Sequence, residues 1–455
     1  MRPAVATNPA RSVLVAFVSL ISIGTALLSL PAAVDGNHPG LIDALFTSAS
    51  ASTVTGLASV DISGFSLFGE IIILVLIQVG GFGVMALGAI TAFAASHRMD
   101  LGARLRAATE FGVTPGEVKG LLIRIAQMTL IVEGGVIIML FARFVFDSQS
   151  VIRSAYSAVF HGISAFNNAG ISLYSDSLER YVADPVVILV VSAAFIVGGL
   201  GFPVYLAIAR QMLPRSDGHH GPRVFRRPRW SSWSLHTRIT LMATAVLLVV
   251  GPVVFAIFEW SNPDTLGDRA IGERLLASWF QGTTPRTAGF STLDIGELNE
   301  PTMLFVSTLM FIGAGPASTS GGIKVTTFAV LGFVIWSEVR GRTDVNVFRR
   351  RLPRRVIRTA ITVALLSVGL VIGTALALIA MTDLTLSPAL FEATSAFGTV
   401  GLSTGITSDL PRVAHILLVL VMLAGRIGPM TFVAALAMRN RDLPYSYPEE
   451  RPIIG

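Results

Sequence analysis

The sequence predicts an all-α polytopic membrane protein made of four tandem helix–pore-loop–helix repeats around a single central pore. Three observations predict it. Hydrophobic residues make up 52% of the 455 positions and charged residues only 14%, against roughly 25% charged in soluble domains. Apolar stretches long enough to cross a bilayer recur along the chain. A glycine-centred window recurs four times, at intervals of 114, 119 and 112 residues. The absence of cysteine rules out disulfides, thiolate metal sites and cysteine nucleophiles.

A spanning helix needs ~20 mostly apolar residues. The sequence offers eight: Ser12–Leu30, Ser66–Ala95, Gly120–Phe146, Pro185–Ala209, Leu235–Trp260, Thr302–Ile312 continuing through Phe328–Trp336, Ile357–Met381, and Val413–Met438. The first follows Arg2 and Arg11 and has the outline of a signal peptide, but it is long for one and seven further spans follow. Shorter segments lie between them: Leu41–Ala51, Val151–Ala165, Ile271–Gly282 and Ser387–Ala396. At about three turns each they are too short to cross and fit re-entrant half-helices.

The charges sort by side. With the N-terminus inside, inner segments carry 23 Lys/Arg and outer segments six, which places both termini in the cytoplasm. The basic loops, such as Arg223–Arg229 and Arg349–Arg358, then read as topology determinants and anionic-lipid contacts. Nucleic acid is not expected as a partner, because aromatic residues do not interleave the charges. The expected organisation is a cytoplasmic N-terminus (1–11), repeat 1 (12–95), repeat 2 (120–209), a basic loop (210–234), repeat 3 (235–338), a second basic loop (339–356), repeat 4 (357–438) and a cytoplasmic tail (439–455).

The four windows are Ser52-Thr53-Val54-Thr55-Gly56, Phe166-Asn167-Asn168-Ala169-Gly170, Pro285-Arg286-Thr287-Ala288-Gly289 and Phe397-Gly398-Thr399-Val400-Gly401. Ten residues before each glycine stands an aromatic: Phe46, Phe160, Trp279 and Phe391. Small-residue clusters recur in the following helices: Gly80-Gly81, Gly198-Gly199, Gly313-Ala314-Gly315 and Gly425. Three of them begin 24 residues after the window glycine, and the second begins 28 after it. Close helix packing explains such clusters but not the repeated turns.

Non-helical backbone at membrane depth persists only where it lines water or is buried in protein. Four such turns can meet on an axis and offer carbonyls in place of an alkali cation's water shell. Glycine reaches the backbone angles that aim successive carbonyls to one side. The expected ion-binding residues are therefore Thr53, Val54, Thr55 and Gly56; Asn167, Asn168, Ala169 and Gly170; Arg286, Thr287, Ala288 and Gly289; and Gly398, Thr399, Val400 and Gly401. Asp61, Asp176, Asp294 and Asp409 follow the windows and would make the outer mouth attractive to cations.

The third unit's second helix is interrupted over 313–324, a stretch of small residues that breaks a helix on propensity. It would lie below the turns as a gating loop, with Gly315, Ser318, Thr319, Ser320, Gly321, Gly322 and Lys324 as its candidate residues. Arg426 lies at matching depth in the fourth unit. A buried guanidinium is a functional hypothesis by default, here a donor to freed loop carbonyls. The plainer alternative pairs it with Glu70 or Glu133. Lys324 is expected to snorkel at the inner end of the broken helix.

On these residues the sequence resembles the Trk/Ktr/HKT superfamily of cation transporters. The most specific matches are Thr284–Thr292, Ser318–Thr327 and Gly425-Arg426-Ile427-Gly428-Pro429, and the resemblance runs from about Ser12 to Met438. It is most like the Ktr membrane subunit, since Trk proteins carry an additional helical pair before the first repeat. The resemblance implies a homodimer with one pore per protomer in a bacterial cell membrane, and a separate nucleotide-binding regulatory ring of RCK type, with no nucleotide on this chain. It also implies potassium as the transported ion, because potassium selectivity goes with glycine in all four filters; sodium remains a possible ion. Two departures stand out: the order Gly315-Pro316-Ala317-Ser318 where Ser-Pro-Gly is more usual, and the shifted glycines of the second repeat.

Two other classes are weighed. Gly401-Leu402-Ser403-Thr404-Gly405 matches a nucleophile elbow, but it follows a half-helix rather than a strand, so an enzyme is not expected. An alternating-access, sodium-coupled carrier also uses broken helices, yet usually shows two repeats.

Overall fold

The computed structural model describes residues 9–35, 40–96, 118–147, 150–212, 230, 233–429 and 431. The expected tail 439–455, nearly all of the N-terminal segment and most of loop 210–234 lie outside the described residues. The chain runs through α1 (Pro9–Leu28), α2 (Leu41–Thr53), α3 (Leu67–Ser96), α4 (Val118–Phe144), α5 (Val151–Asn167), α6 (Pro185–Leu200) and α7 (Phe202–Met212). It continues through α8 (Leu235–Glu259), α9 (Ile271–Thr283), α10 (Glu300–Phe311), α11 (Val325–Val339), α12 (Arg354–Met381), α13 (Leu386–Gly398) and α14 (Arg412–Ile427). A two-stranded hairpin, β1 (Asn346–Val347) and β2 (Arg350–Arg351), precedes α12. The order long helix, short helix, turn, second helix therefore occurs as α1–α3, α4–α6, α8–α10 and α12–α14.

Local chemistry sets the helix starts. Asp184 accepts from the Val186 and Val187 amides ahead of Pro185, which occupies the first turn of α6, where a missing N–H costs nothing. Ser150 and Ser234 cap α5 and α8 in the same way.

Among the described residues five helices, α1, α3, α4, α8 and α12, are long and apolar enough to cross a membrane, with a sixth span if α6 and α7, bent by 96°, count as one. Of the other two expected spans, the third unit's second is interrupted in the sequence itself, and the fourth unit's second extends past the described residues. Pro185–Ala209 is not continuous: it breaks at Gly201, whose φ is 89°. The fourth unit's second helix stops at Ile427, with Gly428 at φ 92°, and residues 432–438 lie outside the described residues. The expected interruption of the third unit falls between α10 and α11.

The core surrounds the short helices. Phe46, Phe160 and Phe391 are fully buried, but in the third unit Phe280 takes the buried position and Trp279 is half-buried. Between membrane helices no water is displaced, so close packing carries the association. A Cβ on Gly80, Gly198 or Gly425 would lie 2.0, 1.9 and 1.9 Å from the carbonyl oxygens of Ser52, Phe166 and Phe397. Each carbonyl stands four residues before a window glycine. Gly198 thus occupies the same place as Gly80 and Gly425, and the four extra residues lie in the loop before α6. In the third unit Gly251 of α8 makes the close approach, 2.1 Å from the Gly282 carbonyl.

Candidate ion-coordinating site

The short helices end in a recurring turn. Val54, Asn168 and Thr399 follow α2, α5 and α13 at φ 56°, 60° and 49°. Their amides donate to Ala51, Ala165 and Ala396, and the next amides, of Thr55, Ala169 and Val400, donate to Ser50, Ser164 and Ser395. This is the paired bonding of a Schellman end, where glycine is the usual left-handed residue. In the third unit α9 unwinds more loosely, through Arg286 N to Thr283 O and Ala288 N to Thr284 O, before Thr287 turns left-handed at φ 75°. Two residues after each of these, the window glycine has positive φ again: 93°, 65°, 78° and 97° at Gly56, Gly170, Gly289 and Gly401. Such alternation of hands turns neighbouring carbonyls to one side. The amides point back into the helices, and among the described residues nothing donates to the Thr55, Ala169, Ala288 or Val400 carbonyl.

The four turns close on one another in order. A Cβ on Gly56 would lie 2.3 Å from the Ala169 oxygen, on Gly170 2.8 Å from that of Ala288, on Gly289 2.1 Å from that of Val400, and on Gly401 2.4 Å from that of Thr55. Each glycine therefore abuts the carbonyl just before the next, and the fourth returns to the first. A cavity of about 480 Å³ opens above them, lined by all four glycines with Asp61, Ser172, Ser403 and Thr407. Of the mouth acids, Asp61 and Asp294 cap short helical turns by accepting from Ser63 N and Gly296 N, and Asp176 pairs with Arg180.

Not every expected residue faces this ring. The side chain of Arg286 turns to α8, reaching Thr244 at 3.4 Å. Gly398 lies in the last turn of α13 against the Met310 carbonyl of α10. Thr53 donates from its hydroxyl to Ala49 and shares a 2.7 Å bond with Thr55.

Below the ring, segment 312–324 is threaded through the bend of α6 and α7. Gly315 N donates to Gly199 O, Phe202 N to Ala317 O and Thr319 N to Gly198 O. Backbone groups freed by the break are thus satisfied by the loop, as membrane depth requires. A Cβ on Gly201 would be 2.3 Å from the Pro316 oxygen, and one on Gly315 2.3 Å from that of Leu200. Ser318, Thr319 and Ser320 are fully buried. Thr319 Oγ1 lies 3.0 Å from the Asn168 amide group, which also lies 3.2 Å from Thr287 Oγ1. A Cβ on Gly321 would strike Thr399 Oγ1 at 2.2 Å, and one on Gly322 would lie 3.3 Å from Gly398. The loop therefore touches the second and fourth turns directly.

Arg426 is buried and donates to the Thr319 carbonyl, and to that of Gly80 at 3.3 Å. It holds carbonyls, not Glu70 or Glu133: Glu70 accepts from Tyr156, and Glu133 from Gln78 and Asn167. Lys324 is half-buried, and its Nζ donates to the Ser320 carbonyl inside the loop. Sequence reasoning missed the left-handed conformation ahead of each glycine, because valine and threonine do not announce it; Asn168 was the one available signal, since asparagine visits that region more readily. It also missed Glu392, whose carboxylate behind the fourth turn accepts from Ser403 and Thr407 at 2.8 and 2.5 Å. A carboxylate within an otherwise apolar half-helix was the available signal.

The family model of the cation transport protein TrkH matches residues 3–442. The chain belongs to the TrkH family of cation transport proteins. Members similar to it include the Ktr system potassium uptake protein B of Bacillus subtilis, 38% identical over 98% of this chain and 97% of that protein. The protein of the same description from Vibrio alginolyticus is 35% identical over 98% of this chain and 94% of its own length. The crystal structure of the potassium transporter TrkH from Vibrio parahaemolyticus superposes with a TM-score of 0.72, covering 96% of this chain and 87% of that one at 17% identity. That likeness shows the fold. The TrkH-family fold therefore frames the turns, the loop and Arg426.

Proposed function

We propose that this chain is the ion-translocating membrane subunit of a potassium uptake system, with K+ as its cargo. The observation that carries the proposal is the closed order of glycine against carbonyl, 56 to 169, 170 to 288, 289 to 400 and 401 to 55. Four repeats then surround one pore, and the carbonyls of Thr53–Gly56, Asn167–Gly170, Arg286–Gly289 and Gly398–Gly401 replace the water shell of the ion, with Arg286 and Gly398 serving by backbone alone. The cavity above is the outer vestibule. The loop 313–324 is the gate, tethered from the fourth repeat by Arg426, whose charge opposes cation leak.

The similarity to proteins described as Ktr system components supports a separate partner component; the proposal completes this with a homodimer in the cell membrane, both termini cytoplasmic, and a cytoplasmic nucleotide-binding ring as the partner. The arginines of the 346–351 hairpin and of the start of α12 offer that ring a surface.

The test is complementation of a potassium-uptake-deficient cell, with and without a co-expressed regulatory ring, followed by flux in proteoliposomes. Wild type should restore growth at low potassium, and Gly289→Ser should lower the K+ over Na+ flux ratio. Unchanged ion ratios in Gly289→Ser would remove the filter assignment. Strict stoichiometric coupling to sodium would favour an alternating-access carrier instead.

A further inference from the structure

A carboxylate buried in a spanning helix needs a reason, because desolvating a charge is costly unless it is paired or hydrogen-bonded. Glu133 lies in the middle of α4 and is 3% exposed. Among the described residues neither arginine nor lysine is bonded to it. Instead Oε2 accepts from Gln78 Nε2 at 3.2 Å, and Oε1 accepts from Asn167 Nδ2 at 3.0 Å. The triangle closes through Asn167 Nδ2 to Gln78 Oε1 at 2.9 Å. Three elements meet here: α3, α4 and the end of α5.

Asn167 is the last residue of α5, immediately before left-handed Asn168. Its side chain is clamped on a second side by α3, where a Cβ on Gly81 would lie 2.0 Å from Asn167 Oδ1. Gln78 and Gly81 are three apart and share one helical face. The clamp therefore fixes where α5 ends, and with it the position of the Ala169 carbonyl that abuts Gly56. Geometry at this carbonyl matters because a cage discriminates between cations by the placement and number of its oxygens.

We infer that Glu133 is a positioning residue for ion selectivity, setting the second repeat's turn through Asn167 and Gln78. The inference rests on the filter assignment proposed above. Glu259 offers a contrast. It is equally buried, but its partners, Asn262, Thr265, Asn299 and Thr302, tie the outer end of α8 to the start of α10, away from the turns.

The test is the K+ over Na+ flux ratio in proteoliposomes, with thermal midpoint measured on the same preparations, for Glu133→Leu, Glu133→Gln, Gln78→Leu and Glu259→Gln, with Gly289→Ser alongside. Glu133→Leu should lower the ratio about tenfold, the scale of one hydrogen bond to a charged group. Glu133→Gln keeps an acceptor for Asn167 and should restore most of it. Glu259→Gln should lower the midpoint and leave the ratio alone. If Glu133→Leu does not assemble, Gln78→Leu reads the same clamp from α3. A wild-type ratio in Glu133→Leu, or in Gln78→Leu where it stands in, while Gly289→Ser shifts it, overturns the positioning role and spares the filter. A ratio unmoved by Gly289→Ser overturns both.

Discussion

At the scale of single residues, strain is stored where the proposed ion contacts lie. Val54, Thr287 and Thr399 are β-branched yet left-handed, a conformation that costs of order 1–3 kcal/mol each and survives only where surrounding structure enforces it. Thr399→Gly should relieve this strain and, after the extra unfolded-chain entropy of glycine, stabilise the protein by about 1 kcal/mol while lowering K+ over Na+ selectivity. Denaturation and flux on the same preparation check both halves. Gly56→Ala should abolish uptake, since a Cβ there meets a carbonyl at 2.3 Å, whereas Gly64→Ala, with open space around it, should grow like wild type at low potassium. The window glycines were legible in the sequence because only one residue type tolerates both the angle and the approach. The left-handed Val54, Thr287 and Thr399 two positions earlier were not, because tertiary packing forces them against their own preference. Glu133 was visible as an acid in an apolar run, but nothing in the sequence said that Asn167 and Gln78 would meet it.

At the scale of elements, the loop 313–324 and the bend at Gly201 are one construction, each supplying the hydrogen bonds that the other lacks. The small-residue loop was legible from composition; the bend was not, since Gly198-Gly199-Leu200-Gly201 reads equally as a close-packing cluster within a straight helix. Removing Gly321-Gly322 should raise regulator-independent flux, and Arg426→Ala should do the same without loss of membrane insertion; single-channel or tracer flux, set against the amount of protein in the membrane, separates the two. Outside the membrane, Arg180 hydrogen-bonds to Asp176 and holds its carboxyl below the usual range. The pair is more than a third exposed and contributes no more than about 1 kcal/mol. Because the folded-state pKa is depressed, that contribution is present above the ordinary carboxylate range and is lost as pH falls through the folded value. Thermal midpoints of wild type and Asp176→Asn should therefore differ slightly at neutral pH and converge in acid.

At the scale of the whole molecule, the element order and the closure of the turns belong to the same pattern that the glycine intervals describe. Pro185–Ala209 reads as one straight span because hydropathy counts apolar residues and does not register where a helix breaks. In the proposed filter an ion held by the four turns would bind the folded state alone, so potassium should raise the thermal midpoint in detergent where an organic cation of equal concentration does not; at a hundred times the dissociation constant the gain is about 2.7 kcal/mol. Because the ring is closed by one polypeptide, its four corners are separate sequence positions. If the proposed filter is right, a substitution alters a quarter of the cage, whereas in a tetramer of identical chains it would alter every corner together. Preference among alkali cations can thus be adjusted in small increments, one corner at a time, and the loop and arginine that bear on two of those corners have no need of counterparts at the others.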